Sequence, residues 1–366
     1  MIENDVIVVD AVAHGFDFRQ EASGKPAGFW HELGHLGFSG RNPKNSQYVL
    51  EQQQFEREWT ADDLIACFFD ESQTDIAVYH HIRGMGRGTR AVDATETSPL
   101  KVGLEMREKA PGRVFIYANL VHQFDPPGMA DEIDQLVEEH GISGIKLYPR
   151  EWDVMTGTLG EFTFDQEKLV FPMVEHALKR GIKVIAIHKA MGSQIKAFGV
   201  ADLEPAALAF PEMNFEIVHA GFAFLEDTLR VGTLPNIYLN LENTSGFAAA
   251  APRRFADIMG QLLVKTLDSP GAENRIIWAT GGPLVHPQLA LESFWSFEMP
   301  EDMMEGFGYP PLTRVIKKKI LGENLARMLG LDLNEMFAAI PDSDRRSERG
   351  REELQAPWAT VRGATQ

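Results

Sequence analysis

The 366-residue chain has one cysteine, Cys67. A lone thiol builds no intrachain disulfide framework and no cysteine-based zinc site. Positive charge is also scarce, with 35 basic against 53 acidic residues and a formal charge of −18. Such a surface repels phosphate backbones, so no nucleic-acid partner is expected. No apolar run is long enough to span a bilayer. The opening MIENDVIVVD has no basic stretch followed by an apolar one, as a secretory signal would. These shortages point to a cytoplasmic protein with no nucleic-acid partner and no membrane contact.

What is present is apolar and periodic. The hydrophobic fraction is 44%, enough for a sizeable core. Eight nearly continuous apolar runs recur: VIVVDAVAH (6–14), TDIAVYHH (74–81), VFIYANL (114–120), GIKLYP (144–149), KVIAIHK (183–189), FEIVHAG (215–221), NIYLNLEN (236–243) and RIIWATGG (275–282). Runs of this kind read as strands buried on both faces. Between them lie helical patterns such as MADEIDQLVEEHG and LVFPMVEHALKRG, each closing on glycine. Eight strands alternating with helices predict an α/β fold, a (β/α)8 TIM-like barrel. The barrel is expected over 1–341, with a long insertion at 15–59 over its mouth. A polar tail, 342–366, is expected to pack on the barrel or on a partner.

Barrels of this type place their chemistry at the C-terminal ends of the strands. His14 ends the first run, His80 and His81 the second, and His122 follows the third. Lys146 lies in the fourth, His188 ends the fifth, His219 the sixth and Glu242 the seventh. Several imidazoles converging on one mouth predict a metal site. A set of buried, hydrogen-bonded histidines is the plainer alternative.

The order of VVDAVAH, GIKLYP, AIHKA, IVHAG, NIYLNLENTSG and ILGENLARMLGL resembles the amidohydrolase superfamily over 6–331. The likeness is to its amidohydrolase-related branch, which includes aminocarboxymuconate-semialdehyde decarboxylase, resorcylate-type decarboxylases and pyrone dicarboxylate lactonase. The resemblance implies a metal-dependent barrel in which His14, His188 and His219 bind a divalent ion. One zinc is expected in this chain, with manganese or iron as alternatives. It also marks two departures. The family's D-x-H-x-H reads Asp10-Ala-Val12-Ala-His14 here, so the first histidine is Val12. The aspartate of the last strand, which in the family binds metal and moves the proton, is Gly281 here. Glu242 is a candidate to replace it, against the plainer reading of a capped strand end. Lys146 is expected to pair with an anion at the mouth, and Asp10 to orient an imidazole.

Two functions follow from the resemblance. The first is an amidohydrolase-like subunit of a hetero-oligomeric enzyme, plausibly a metal-dependent oxygenase, with an incomplete site and a paralogous partner. Two-component dinuclear-metal hydroxylases such as 2-aminoisobutyric acid hydroxylase are built this way. The second is a self-sufficient metal-dependent hydrolase or non-oxidative decarboxylase of a small carboxylated substrate, with a homo-oligomer as the alternative to a paralogous partner.

HELGH (31–35) matches the H-E-x-x-H zinc-protease pattern. Gly34 between its histidines, and Gly28, Gly37 and Gly40 around it, argue against the helix that pattern requires. His31, Glu32 and His35 are assigned to a lid or interface in the insertion. GMGRG (84–88) reads as a βα loop, KKK (317–319) as a solvated face and Thr60 as a helix cap.

Overall fold

The computed structural model describes residues 2–3, 5–19, 34–35, 47–83, 96–153, 156, 158–191, 195–345 and 354–363. His31, Glu32 and GMGRG lie outside the described residues.

The eight apolar runs form eight parallel strands. They are β1 (Val9–Ala13), β2 (Ile76–His80), β3 (Val114–Asn119), β4 (Gly144–Leu147), β7 (Val184–His188), β8 (Asn214–Val218), β9 (Ile237–Asn240) and β10 (Ile276–Ile277). They pair in the order β1-β2-β3-β4-β7-β8-β9-β10. The ends of the sheet then meet. Ala11 N–H donates to Trp278 O and His14 N–H to Gly282 O, both at 3.0 Å. This is the expected (β/α)8 TIM barrel. An antiparallel hairpin, β5 (Arg150–Asp153) with β6 (Thr158–Glu161), follows β4 and was not expected.

Burial on both faces explains the unbroken apolar runs. The outer faces pack on the helices. The inner faces supply Val9, Val12, Ile76, Val78, Tyr117, Val184, Ala186, Val218, Tyr238, Ile277 and Ala279 to a second core inside the barrel. The helix of MADEIDQLVEEHG spans Pro126–His140. Proline opens it without losing a needed donor, and Gly141 closes it at φ 55, a left-handed turn that suits glycine. Thr60 caps its helix by accepting from Asp63 N–H.

One expectation changes. The KKK run is not a solvated face throughout. Lys317 is buried, and its Nζ donates to Trp295 O at 2.7 Å and Phe297 O at 2.6 Å. Its helix packs on the 295–297 turn, which leaves two carbonyls in need of a donor. The described parts of the tail, 342–345 and 354–363, lie on the barrel chain itself. Trp358 and Ala359 N–H donate to the buried Glu71 carboxylate at 2.7 and 2.8 Å, and Trp358 Nε1–H donates to Tyr48 O at 2.8 Å.

Candidate active site

Alternation along each strand brings the site together. Side chains two apart share a face. Val12, Val78, Ala186 and Ala279 line the inner core. Two residues further on, at the mouth, stand His14, His80, His188 and Gly281. Lys146 and Tyr148 share the inward face of β4 and its end in the same way. His219 departs from the rule, since its neighbour Val218 already points inward. A left-handed backbone at φ 71 redirects it, and Asn243 is also left-handed at φ 63. Such conformations in non-glycine residues are costly and persist where the surroundings over-determine them.

Glu242 is the centre of the cluster. His14 Nε2 lies 3.5 Å from its Oε1, and His219 Nδ1 lies 3.5 Å from its Oε2. Its carboxylate faces the imidazoles instead of capping a strand. It also fills the space of a side chain at 281. A Cβ on Gly281 would sit 2.6 Å from Glu242 Oε1, at a φ of +72 that disfavours any L side chain.

The hydrogen bonds fix the tautomers. A carbonyl can only accept. His188 Nε2, 3.2 Å from Met191 O, therefore carries hydrogen. In the neutral ring His188 Nδ1 must then accept, so His219 Nε2–H donates to it at 3.1 Å. His219 Nδ1 is left with a lone pair, and Asn243 Nδ2 offers it one N–H at 3.2 Å. Likewise His14 Nδ1–H donates to His80 O at 3.2 Å, leaving the Nε2 lone pair turned to Glu242. Two lone pairs thus face the two oxygens of one carboxylate. A proton or a cation has to lie between them.

Electrostatics set the charges. Burial would raise Glu242, but His219, His14 and the Lys146 ammonium outweigh it and hold it below the ordinary carboxylate range. Burial lowers His219 to about 4 and holds His188 and His80 well below the usual imidazole value. These rings are neutral at pH 7, so Lys146 is the standing positive charge. Burial lowers Lys146 to about 8 against the pull of Glu242 and Glu216. No hydrogen bond or ion pair joins its Nζ to another described residue; its near contact is the Tyr148 ring, 5.2 Å to the centroid. Below, burial raises Glu216 to about 7.

The structure sorts the expected residues. His14, His188, His219, Glu242 and Lys146 share one buried cluster. His81 is turned away, with Nε2 on Glu96 and Nδ1 accepting from Asn119 N–H. His122 is partly exposed beside Asp125. His35 packs on Phe55, apart from the cluster. Asp10 does not orient an imidazole. It accepts from Thr280 N–H at 3.0 Å and Thr280 Oγ1–H at 2.6 Å, and so clasps the turn after β10 to β1. Sequence reasoning passed over Tyr148, which stacks on His188 with centroids 4.8 Å apart. Its signal was its place two residues after Lys146.

Chemically the set suits a divalent cation: neutral imidazoles beside an ionised carboxylate, the protonation states that ligation requires. As the side chains stand, no group of three or more His, Cys, Asp or Glu among the described residues is arranged to hold one. His14 and His219 face different oxygens of Glu242. Their 3.5 Å separations are nonetheless close to the roughly 3.3 Å between two ligand atoms on one tetrahedral zinc.

The family model for Amidohydrolase matches residues 62–331. Among solved structures, the chain is similar to 5-carboxyvanillate decarboxylase from Novosphingobium aromaticivorans, solved with manganese and 4-hydroxy-3-methoxy-5-nitrobenzoic acid. Identity is 15%, covering 90% of this chain and 97% of that one, with a TM-score of 0.55. A dihydroxybenzoic acid decarboxylase from Polaromonas sp. JS666, with manganese and 2-nitroresorcinol, is 15% identical over 90% and 97%, at 0.54. An uncharacterised TIM-barrel protein from Bordetella bronchiseptica is 16% identical over 89% and 99%, at 0.53. At these identities the likeness speaks to fold alone. No curated protein matches the sequence.

Proposed function

The chain belongs to the amidohydrolase family, and on that footing we propose that it is a metal-dependent, non-oxidative decarboxylase of a small carboxylated molecule, with hydrolysis of such a molecule as the nearest related chemistry. The observation that carries this reading is the buried pair of opposite charges at the mouth, Lys146 and Glu242, set among neutral imidazoles.

Lys146 has ammonium hydrogens without a described acceptor and binds the carboxylate of the substrate. Tyr148 walls that side and holds the ring of His188. His188 in turn fixes which nitrogen of His219 carries hydrogen. Loss of CO2 requires a proton at the carbon left behind, and hydrolysis requires one taken from water. Glu242, whose carboxylate has two oxygens and faces both imidazoles at 3.5 Å, is the group we assign to hold or give that proton. His14, His219 and Glu242 are the groups we assign to a divalent ion, which when bound would polarise a substrate oxygen. His188, with both nitrogens already hydrogen-bonded, supports His219 from behind. Zinc was the expected metal; imidazole and carboxylate donors suit manganese as well, and both decarboxylases above contain it.

These neighbours support the decarboxylase reading better than that of an oxygenase subunit, which rests on Val12 and Gly281. Steady-state kinetics on the metal-reconstituted chain test it. Glu242→Gln should lower kcat by about 10²- to 10⁴-fold, and Lys146→Met should raise KM for carboxylates with a smaller effect on kcat. Full turnover by Glu242→Gln would remove the proposal.

A further inference from the structure

Lys189 follows His188 at the end of β7. Alternation turns it to the opposite side of the strand from His188, yet it is completely buried. Its Nζ donates to Ala197 O at 2.8 Å and to Asp202 Oδ2 at 2.7 Å. The same carboxylate oxygen accepts Phe164 N–H at 2.9 Å. One ammonium thus ties the end of β7 to the short helix Ile195–Phe198 and to the start of the helix Leu203–Ala209. Burial pulls Lys189 below the usual ammonium range and lifts Asp202 above the usual carboxylate one, each against the pull of the other. A buried ion pair is often no more stable than an apolar pair of the same volume. Its place in the fold is therefore the more telling fact.

That place is the turn that holds His188. Ala190 is left-handed at φ 55, a costly conformation for a residue with a side chain. Its N–H donates to Phe198 O at 2.9 Å, and its carbonyl accepts Ala223 N–H at 3.0 Å. Directly after it, Met191 O accepts from His188 Nε2–H at 3.2 Å. Phe198 stands edge-on to the same ring, with centroids 5.8 Å apart. The anchored turn thus supplies the carbonyl that puts hydrogen on His188 Nε2. His188 Nδ1 then accepts His219 Nε2–H, and the Nδ1 lone pair of His219 is left on the side of Glu242. With that carbonyl displaced, His188 is free to carry its hydrogen on Nδ1. His219 would then accept at Nε2 and carry its own hydrogen on Nδ1.

We propose that Lys189 and Asp202 are positioning residues for the imidazole pair: by fixing the 189–191 turn they hold Met191 O on His188, and so select the nitrogen that His219 presents to Glu242. This inference rests on the roles given to His219 and Glu242 under Proposed function.

The test is tautomer-resolved NMR of the full-length, metal-free protein with 15N-labelled histidine, for wild type, Lys189→Met and Lys317→Met. Lys317 is a second buried lysine, with Trp295 O and Phe297 O as its acceptors, so its variant controls for the loss of a buried ammonium as such. Wild type and Lys317→Met should show His188 and His219 each with hydrogen on Nε2. Lys189→Met should convert His219 to the Nδ1–H form. In the metal-reconstituted chain its kcat should fall about 10- to 100-fold, with KM little changed. Asp202→Ala, which frees the ammonium from the other side, carries the comparison if Lys189→Met does not fold. An unchanged tautomer pattern in a folded variant, the same conversion in Lys317→Met, or conversion with undiminished kcat would overturn the inference and leave the decarboxylase reading intact. Absence of turnover in the wild type would overturn that reading alone, since the tautomer comparison needs no substrate.

Discussion

Thr280 aims a hydroxyl and a backbone amide at one buried carboxylate, that of Asp10, and this clasp holds the turn carrying Gly281 in place. Burial pushes Asp10 up to about 7 from 3.8, against the hydrogen bonds from Thr280 and Val12. The folded state therefore holds a proton that the unfolded chain releases. This contribution to stability is complete below pH 3.8 and is lost as pH rises through about 7. Asp10→Asn keeps the acceptor oxygen and removes the titration. Relative to wild type it should gain on the order of 2 kcal/mol between pH 5 and pH 8, read from urea midpoints at the two values. A difference that does not change with pH would refute that assignment. At this scale the sequence showed which side chains reach the mouth, because alternation and strand ends are legible. It did not show which nitrogens are already used. That depends on backbone carbonyls such as Met191 O and His80 O, brought near by the fold.

At the scale of elements, the eight barrel strands were readable because strands buried on both faces leave no polar alternation to confuse them. The β5–β6 hairpin was not. Its strands, REWD and TLGE, are short and polar, and their pairing supplies the order that apolar patterning would otherwise signal. The helix Arg314–Lys318 was misread for a related reason. Three adjacent lysines look solvated, yet one must face inward on a packed helix. Lys317 does, and its long stem reaches two carbonyls across the 295–297 turn. Lys317→Met keeps the stem but strands both acceptors, and should cost about 1–3 kcal/mol in chemical denaturation. Lys318→Met removes only a surface pair with Asp5 and should leave the denaturation midpoint nearly unchanged. Equal effects would show that Lys317 is not the donor assigned here.

For the whole molecule, closure is what places the chemistry. The bonds from Ala11 and His14 to Trp278 and Gly282 join the first and last strands, so that β1, β9 and the turn after β10 deliver His14, Glu242 and Gly281 to one spot. A carboxylate from β9 then stands where a side chain at 281 would have to be, and Gly281 leaves it room. In sequence Glu242 and Gly281 are 39 positions apart, and the barrel brings the Glu242 carboxylate into the space that a side chain at 281 would take. The tail adds a second long-range tie, since Trp358 seats on Glu71 and Tyr48 and stacks edge-on to Trp59. No helix among the described residues is long and apolar enough to cross a membrane.

The most direct test at this scale is CO2 release by the chain purified alone, stripped of metal and then reconstituted with Mn²⁺ or Zn²⁺, on a panel of small hydroxylated aromatic carboxylates. The proposed function predicts metal-dependent CO2 release from at least one of them without any partner subunit. No release from the reconstituted chain, with turnover appearing only on addition of a second, paralogous subunit, would contradict it.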